Sequence, residues 1–540
     1  MPQPDAKKTI TTQINDIDRR LAALVAERTR LLAKAATARL EKRKPLSDPE
    51  QERRIWSEWD RSAKRLGLEP RLLRKAVTLL NGMAYAKAGA RQGPAEDFLL
   101  TPKRQPVDID APAPLSVDHL LLLTAVAAAA GNPTHLSPVA LNDRTVELVK
   151  ALNQAGAALS WEQDSLSSRG GPGLAFEGKA IFAGDHEGAI YILIALALGH
   201  AGRCRFAGGP ELKLLDLGRL ADTLAAMGAR LAPLTPHTPG LPARLESGGR
   251  MATRLRLPDD CPPAFASALA CAAWTYPEGL SLEFEPASPV AAAMADAALV
   301  LTLCGIPFTA SHGSFSVPNA APTVPAEPAL PMDNLIAATV LALPRFTGGR
   351  TRLVGLWPAE LPAFLHAQRL LGATGLDFAS ADSMATVAAK PWPASVALRA
   401  ENPALAPLAL ALAAAAPQGA ALDCAGDELF QSQAQELLEA CGKPHSADGD
   451  IIRMGPGFDR EQGQRIWSAP SPELALAAAL LAYARPGIRL ANPGVLTAHW
   501  PGFWNLYNRL ATPVRSLLPH KEPEHEQEPE QKSKRRIRVE

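Results

Sequence analysis

Apolar positions fall into two regimes along the 540 residues. Up to about residue 88 they sit three and four apart among charges. In TTQINDIDRRLAALVAERTRLLAKAATARLEK, residues Ile14, Ile17, Leu21, Leu24, Val25, Leu31 and Leu32 share one helical face. SDPEQERRIW then places Asp48 as N-cap, Pro49 at N1 and Gln51 at N3, a capping-box arrangement that starts a second helix. A third is expected from Pro70 to about Tyr85. From Val107 to about Leu518 the pattern changes. Helical periods end on a glycine and give way to alternating or continuous apolar residues, as in RTVELVKALNQAGAAL, LGRLADTLAAMGARL, MADAALVLTLCGIPF, FLHAQRLLGATGL and AQELLEACGKP. Glycine just past a helix supplies the left-handed C-cap, and the residues after it read as strands. The recurrence implies one βα-containing unit used several times; an ordinary doubly wound sheet would give the same spacing.

Between the regimes, residues 89–106 (GARQGPAEDFLLTPKRQP) read as a linker. The tail, residues 519–540, is charged and nearly free of apolar residues, the composition of a disordered segment. Length alone implies two to four units.

Charge changes the picture in one place. The net charge is +1, so neither nucleic acid nor a membrane surface is expected as a partner. Within the first helix, however, Arg28 interrupts the apolar stripe, and Arg39, eleven residues on, faces the same way. Two cations on a core stripe need anions nearby; Asp48 and Glu52, one turn apart, are the candidates. The six cysteines (Cys204, Cys261, Cys271, Cys304, Cys424 and Cys441) show no CxxC spacing and read as reduced core thiols. No apolar h-region opens the chain and no apolar run is long enough to span a bilayer, so a cytoplasmic protein is expected. Nothing in the sequence calls for a metal or a cofactor.

The first 88 residues resemble the all-helical chorismate mutase domain. That resemblance implies an intertwined homodimer and a Claisen rearrangement of chorismate, with cations on the two carboxylates and on the breaking ether oxygen. It carries the family's substrate-binding positions onto Arg28, Arg39, Asp48 and Glu52. Other family positions fall on Thr11, Gln51, Ala84 and Ala88, where the expected polar contacts are missing. A helical dimerisation module whose arginines pair with Asp48 and Glu52 fits the same residues.

From Val107 to Leu510 the chain resembles 5-enolpyruvylshikimate-3-phosphate synthase, the enolpyruvyl transferase of the shikimate pathway. The carriers are APLSVDHLLLLTAVAAAAGN, LNDRTVELVKALNQAGA, FAGDHEGAIYILIALALGHAG, PPAFASALACAA, LPMDNLIAATVLALPRFTGG and NPGVLTAHWPGFW, in family order. The implied architecture is α+β and multidomain: a three-helix domain at 1–88, then at 107–518 a two-lobed fold of repeated βαβαββ units. The first lobe would run over about 119–325, and the second over about 326–510 plus 107–118. Substrates would bind between the lobes. Transfer of enolpyruvyl from phosphoenolpyruvate to shikimate 3-phosphate needs many cations in one cleft. Here the family's basic positions fall on Leu115, Leu120, Ile192, near Leu215, and on Ala498. Ser116 remains as a substrate-binding candidate and Asp333 as the candidate proton acceptor, although Asp333 also reads as the N-cap of a helix starting at Asn334. Lys213, Arg345 and Arg350 are the cations available as substitutes. The expectation is therefore a pathway protein with altered or lost transferase activity; a non-catalytic scaffold or a chorismate-sensing regulator is the alternative. The small molecules implied are shikimate 3-phosphate, phosphoenolpyruvate and chorismate.

Overall fold

The computed structural model describes residues 10–41, 58–59, 61–63, 65–67, 80, 98–235, 239–248, 251–381, 383–459, 466–510 and 512–518. The chain divides into two units, Met1–Asp97 and Phe98–Glu540.

In the first unit the expected long helix is present as Ile10–Glu41 (α1). Of its apolar stripe, Ile17, Leu21, Leu24 and Leu31 are exposed within the single chain, while Thr29 and Ala33 are buried. Most of the second and third expected helices, with Asp48 and Glu52, lies outside the described residues.

The second unit is built from six small sheets among the described residues. Four of them share one pairing scheme: a parallel pair, then two antiparallel pairs. The scheme is seen in 180–182, 202–207, 243–247 and 229–233, with the first two strands parallel. It recurs in 254–256, 280–283, 314–317 and 309–311, and again in 396–399, 420–423, 451–454 and 445–448. The fourth copy joins 107–112 to 349–354, 384–389 and 376–381. Its first strand comes from a point more than two hundred residues earlier than its helix. A repeated unit, rather than one continuous doubly wound sheet, therefore accounts for the recurring glycine-terminated helices. Gly156, Gly228, Gly305, Gly375 and Gly442 all take the positive φ that such C-caps require.

Helices that follow the first strand of each unit are predominantly apolar and buried along most of their length. Three of them, Val117–Ala130 (α2), Glu187–Leu198 (α4) and Pro263–Ala272 (α5), pack in one core. Three more, Asn334–Thr347 (α7), Ala406–Ala415 (α8) and Pro472–Ala484 (α9), pack in a second core. A helix hydrophobic all round is stable only when enclosed. The helices that follow the second strands, such as Asp143–Ala155 (α3) and Pro289–Leu303 (α6), keep exposed positions along one side. All six cysteines are free thiols and buried.

The two cores define two lobes, joined where the chain crosses at 113–116 and again at 330–333. There Leu115 and Met332 form a β-bridge, the Ser116 N–H donates to the Pro331 carbonyl (2.8 Å) and the Asp333 N–H donates to the Pro114 carbonyl (2.7 Å). Phe98–Leu100, inside the stretch read as a linker, forms a strand antiparallel to Ile488–Leu490. The closing aromatic segment docks on the second core: Trp500 is buried with its Nε1 donating to the Leu517 carbonyl, and the Tyr507 hydroxyl donates to the Ala479 carbonyl at 2.8 Å.

Candidate functional site

The crossing between lobes brings helix N-termini together. α2 begins at Ser116 and α7 at Asp333, one on each crossing strand. The Asp333 carboxylate accepts from its own helix at Ile336 N–H (3.0 Å) and so caps α7. Burial pushes its carboxyl above the usual range, against the lowering influence of His499 and of backbone donors.

Asp118, in the first turn of α2, lies 2.5 Å from Nη2 of Arg144, in the first turn of α3. Desolvation raises the Asp118 carboxyl, but the charge and hydrogen bond of Arg144 outweigh it and hold the group below its ordinary value. The Arg144 Nε is buried and has no hydrogen-bond partner. His186 caps α4, its Nδ1 accepting from Gly188 N–H at 3.1 Å. Desolvation first, and then Arg144 and His499, depress its pKa to about 4, with Asp118 opposing; it is neutral at pH 7. His499 comes from the second lobe, at the end of the short helix Gly494–His499. Its carbonyl accepts from Asn142 Nδ2 across the lobes (3.3 Å), and its Nε2 is buried without a partner. Asp118, Arg144 and His186 from one lobe, and Asp333 and His499 from the other, therefore form one electrostatically linked set.

Ser116 makes no capping bond with its side chain. Its hydroxyl instead meets His119 Nδ1 at 2.8 Å. The far ring nitrogen, Nε2, lies 3.2 Å from Asp296 on α6, close enough for charge pairing but without hydrogen-bond alignment. The serine read from the sequence thus heads a Ser–His–Asp series in which Ser116 and His119 are buried and Asp296 is half-exposed.

Positions where the resemblance expects cations are apolar and enclosed: Leu120 and Ile192 lie in the first-lobe core, and Leu115 at the crossing is 8% exposed. Two of the proposed substitutes are engaged elsewhere. Arg345 lies over the Trp392 ring (4.3 Å) and donates to the Thr374 carbonyl. Arg350 pairs with Asp108 at 3.5 Å on an outer sheet face. Lys213 is exposed. Asp427 and Ser471 are helix caps: Asp427 accepts from Phe430 N–H and Ser471 from Leu474 N–H.

In the first unit, Arg28 is half-buried with its guanidinium 5.7 Å from the Trp59 ring centroid, and Arg39 lies in the last turn of the same helix. Asp48 and Glu52 are outside the described residues. Sequence reasoning missed Asp118, His119, Arg144, His186 and His499. Three of them, Asp118, Arg144 and His186, stand in the opening turn or at the cap of a predicted helix. Searching helix starts for charge, rather than aligning family arginines, would have found those three.

With this geometry in view, the class is plain: the large unit has the two-lobed enolpyruvyl transferase fold. Residues 10–83 match the family model of chorismate mutase type II. Two structures of EPSP synthase from Acinetobacter baumannii superpose with TM-scores of 0.61 and 0.62 at 16% identity, covering 76% of this chain and 97% of theirs. The enolpyruvyl transferase NikO from Streptomyces tendae gives 0.59 at 17% identity, covering 76% and 96%. Among curated proteins, none matches the sequence. The large unit thus has an EPSP synthase-like fold, preceded by a segment that matches the chorismate mutase type II model. Among the described residues there is no cluster of three or more potential metal ligands, and no helix long and apolar enough to cross a membrane.

Proposed function

We propose that the protein serves the shikimate route to aromatic amino acids in the cytoplasm, with a helical unit that binds chorismate and an enolpyruvyl transferase-fold unit (the 3-phosphoshikimate 1-carboxyvinyltransferase fold) whose activity is weakened or lost. The observation that carries the second part is the Asp118–Arg144 pair: the guanidinium in the linked set between the lobes already has its counter-ion. Two phosphorylated reactants bring several negative charges, and each needs paired cations once water is excluded. Shikimate 3-phosphate and phosphoenolpyruvate therefore bind poorly together. In the helical unit, Arg28 and Arg39 take the ligand carboxylates, completed by Asp48 and Glu52. The exposed stripe of Ile17, Leu21, Leu24 and Leu31 supports a homodimer through this unit.

A second reading rests on Asp333 and Ser116. A buried carboxyl whose pKa is raised above its ordinary value is suited to accept a hydroxyl proton, and Ser116 stands beside it at the crossing. On this reading the large unit retains slow transfer, with Asp333 as proton acceptor and Ser116 as a substrate ligand.

Calorimetric titration with chorismate, shikimate 3-phosphate and phosphoenolpyruvate in turn, together with a phosphate-release assay, separates the readings. Chorismate binding that weakens by about tenfold or more in Arg28→Ala, with no phosphate release, is the expected result; it corresponds to the loss of one charge-assisted hydrogen bond. Phosphate release abolished by Asp333→Asn would establish the second reading. Binding of none of the three compounds would remove both.

A further inference from the structure

The first lobe holds a cavity of about 670 Å³, within the size range of small-molecule sites. Leu198 and Gly199, at the C-terminal end of α4, line it, whereas His186 of the linked set caps the other end of that helix. A helix of 12 residues is about 18 Å long, so the cavity is separate from the crossing between the lobes. Part of its wall is apolar: Leu198 and Met227 are buried, and Met251 is half-buried. Two charged side chains, Arg254 and Glu278, complete the lining. The parallel pairing of 254–256 with 280–283 brings both to the same end of one sheet. Both are exposed, and among the described residues neither has an ion-pair partner. Gly279, next to Glu278, has a φ of +70°, and a Cβ there would collide with the Val317 carbonyl, so this part of the wall carries no side chain.

We infer that this cavity is a second ligand site, and that it takes a free α-amino acid with a large apolar side chain. Arg254 receives the carboxylate of the ligand and Glu278 its ammonium group, each through charge-assisted hydrogen bonds. The C-terminal end of α4 carries partial negative charge and adds to the attraction for the ammonium group. The side chain of the ligand lies against Leu198, Met227 and Met251. Methionine is unbranched and polarizable, and its sulfur makes favourable contacts with an aromatic ring. A ligand with one charge leaves either the guanidinium or the carboxylate at the rim without a partner. A zwitterion matches both, and the apolar wall excludes a purely polar one. The site lies outside the cleft and does not depend on the function proposed for it.

The test is calorimetric titration of the full chain with L-phenylalanine, and with 3-phenylpropionate and 2-phenylethylamine, each of which lacks one of its two charges. Wild type is compared with Arg254→Gln, Glu278→Gln and Ala201→Trp, the last of which fills the cavity from an exposed lining position. Wild type should bind L-phenylalanine about tenfold or more tightly than either analogue, the effect of one charge-assisted hydrogen bond. Arg254→Gln should weaken L-phenylalanine and 3-phenylpropionate and leave 2-phenylethylamine unchanged; Glu278→Gln should weaken L-phenylalanine and 2-phenylethylamine and leave 3-phenylpropionate unchanged. Ala201→Trp should abolish binding of all three. Absence of L-phenylalanine binding in wild type would overturn the inference. So would L-phenylalanine binding unchanged in both charge variants, which would place the amino acid elsewhere, or opposite responses of the two analogues to each variant regardless of position, which would mark a general effect of net charge. Arg254 and Glu278 are exposed, so their variants keep the test valid if Ala201→Trp folds poorly. L-Phenylalanine binding in a protein that binds none of the three pathway intermediates leaves this inference standing and removes the proposed function.

Discussion

Each lobe of the large unit buries three apolar helices, α2, α4 and α5 in the first and α7, α8 and α9 in the second, yet the residues that start those helices are put to different use. In the second lobe the polar starts serve the backbone. Asp333 and Ser471 each accept from the N–H three residues on, which satisfies orphan donors of the first turn. In the first lobe Ser116 leaves its helix uncapped and turns to His119, while Asp118 turns to Arg144. Only His186 there makes an ordinary cap. A side chain that forgoes a cap for another polar group does not serve the first turn of its own helix. The side-chain pairs made in place of caps therefore lie on the first lobe.

The comparison can be broken most strongly in the cores. Leu193 of α4 and Leu410 of α8 are both fully buried. Truncation of either to alanine should cost about 2–5 kcal/mol. Differential scanning calorimetry should show two transitions, with Leu193→Ala lowering one and Leu410→Ala the other. A single transition lowered equally by both would mean that the lobes melt as one body.

Acid sharpens the comparison next. The folded pKa of His186, about 4, lies below the ordinary value of 6.5. Between those values the unfolded chain binds a proton that the folded chain does not, so stability falls as pH drops through this window. Relative to His186→Gln, wild type should lose up to about 3 kcal/mol between pH 6.5 and pH 4. Parallel stability curves for the two proteins would show that His186 titrates normally. Asp333, raised by burial, has the opposite sign: its contribution is present at low pH and is lost as pH rises through its folded pKa, which is why the difference between variants is the quantity to measure.

A smaller effect comes from Asp333 itself. Asp333→Ala removes the N-cap of α7 and should destabilise by about 1–2 kcal/mol, with Asp333→Asn milder because asparagine also caps well. Chemical denaturation of both variants checks this; equal losses would point to the charge rather than the cap. The smallest effect belongs to the outer sheet face. Arg350, paired with Asp108 and largely exposed, should contribute less than about 1 kcal/mol on replacement by alanine. A larger loss would show that the exposed ion pairs around Asp108 and Asp110 act as a network.

Much of the fold was legible. The apolar runs of α4 and α8 can be read as enclosed helices because no polar face is available, and the glycines at 156, 228, 305, 375 and 442 mark where chains turn back into strands. The strand at Phe98–Leu100 was not legible, because three residues paired to a segment nearly four hundred positions away leave no local period. The site was legible in part. Ser116 and Asp333 lie in segments whose order resembles a known fold. Arg144 and His499 could not be connected from spacing, since they belong to different lobes and meet only when both chain crossings close.

By itself the sequence determined where helical periods stop and strands follow, and it carried the resemblance under which several expected basic positions read as apolar. Apolar periodicity and glycine conformation are local properties, so they survive reading in one dimension. Only the tertiary structure decided that Asp118 faces Arg144, that the Asp333 N–H meets the Pro114 carbonyl at the crossing, and that His186 stays neutral at pH 7. Those facts depend on distance and on exclusion of water, and both arise when segments remote in the chain are packed together.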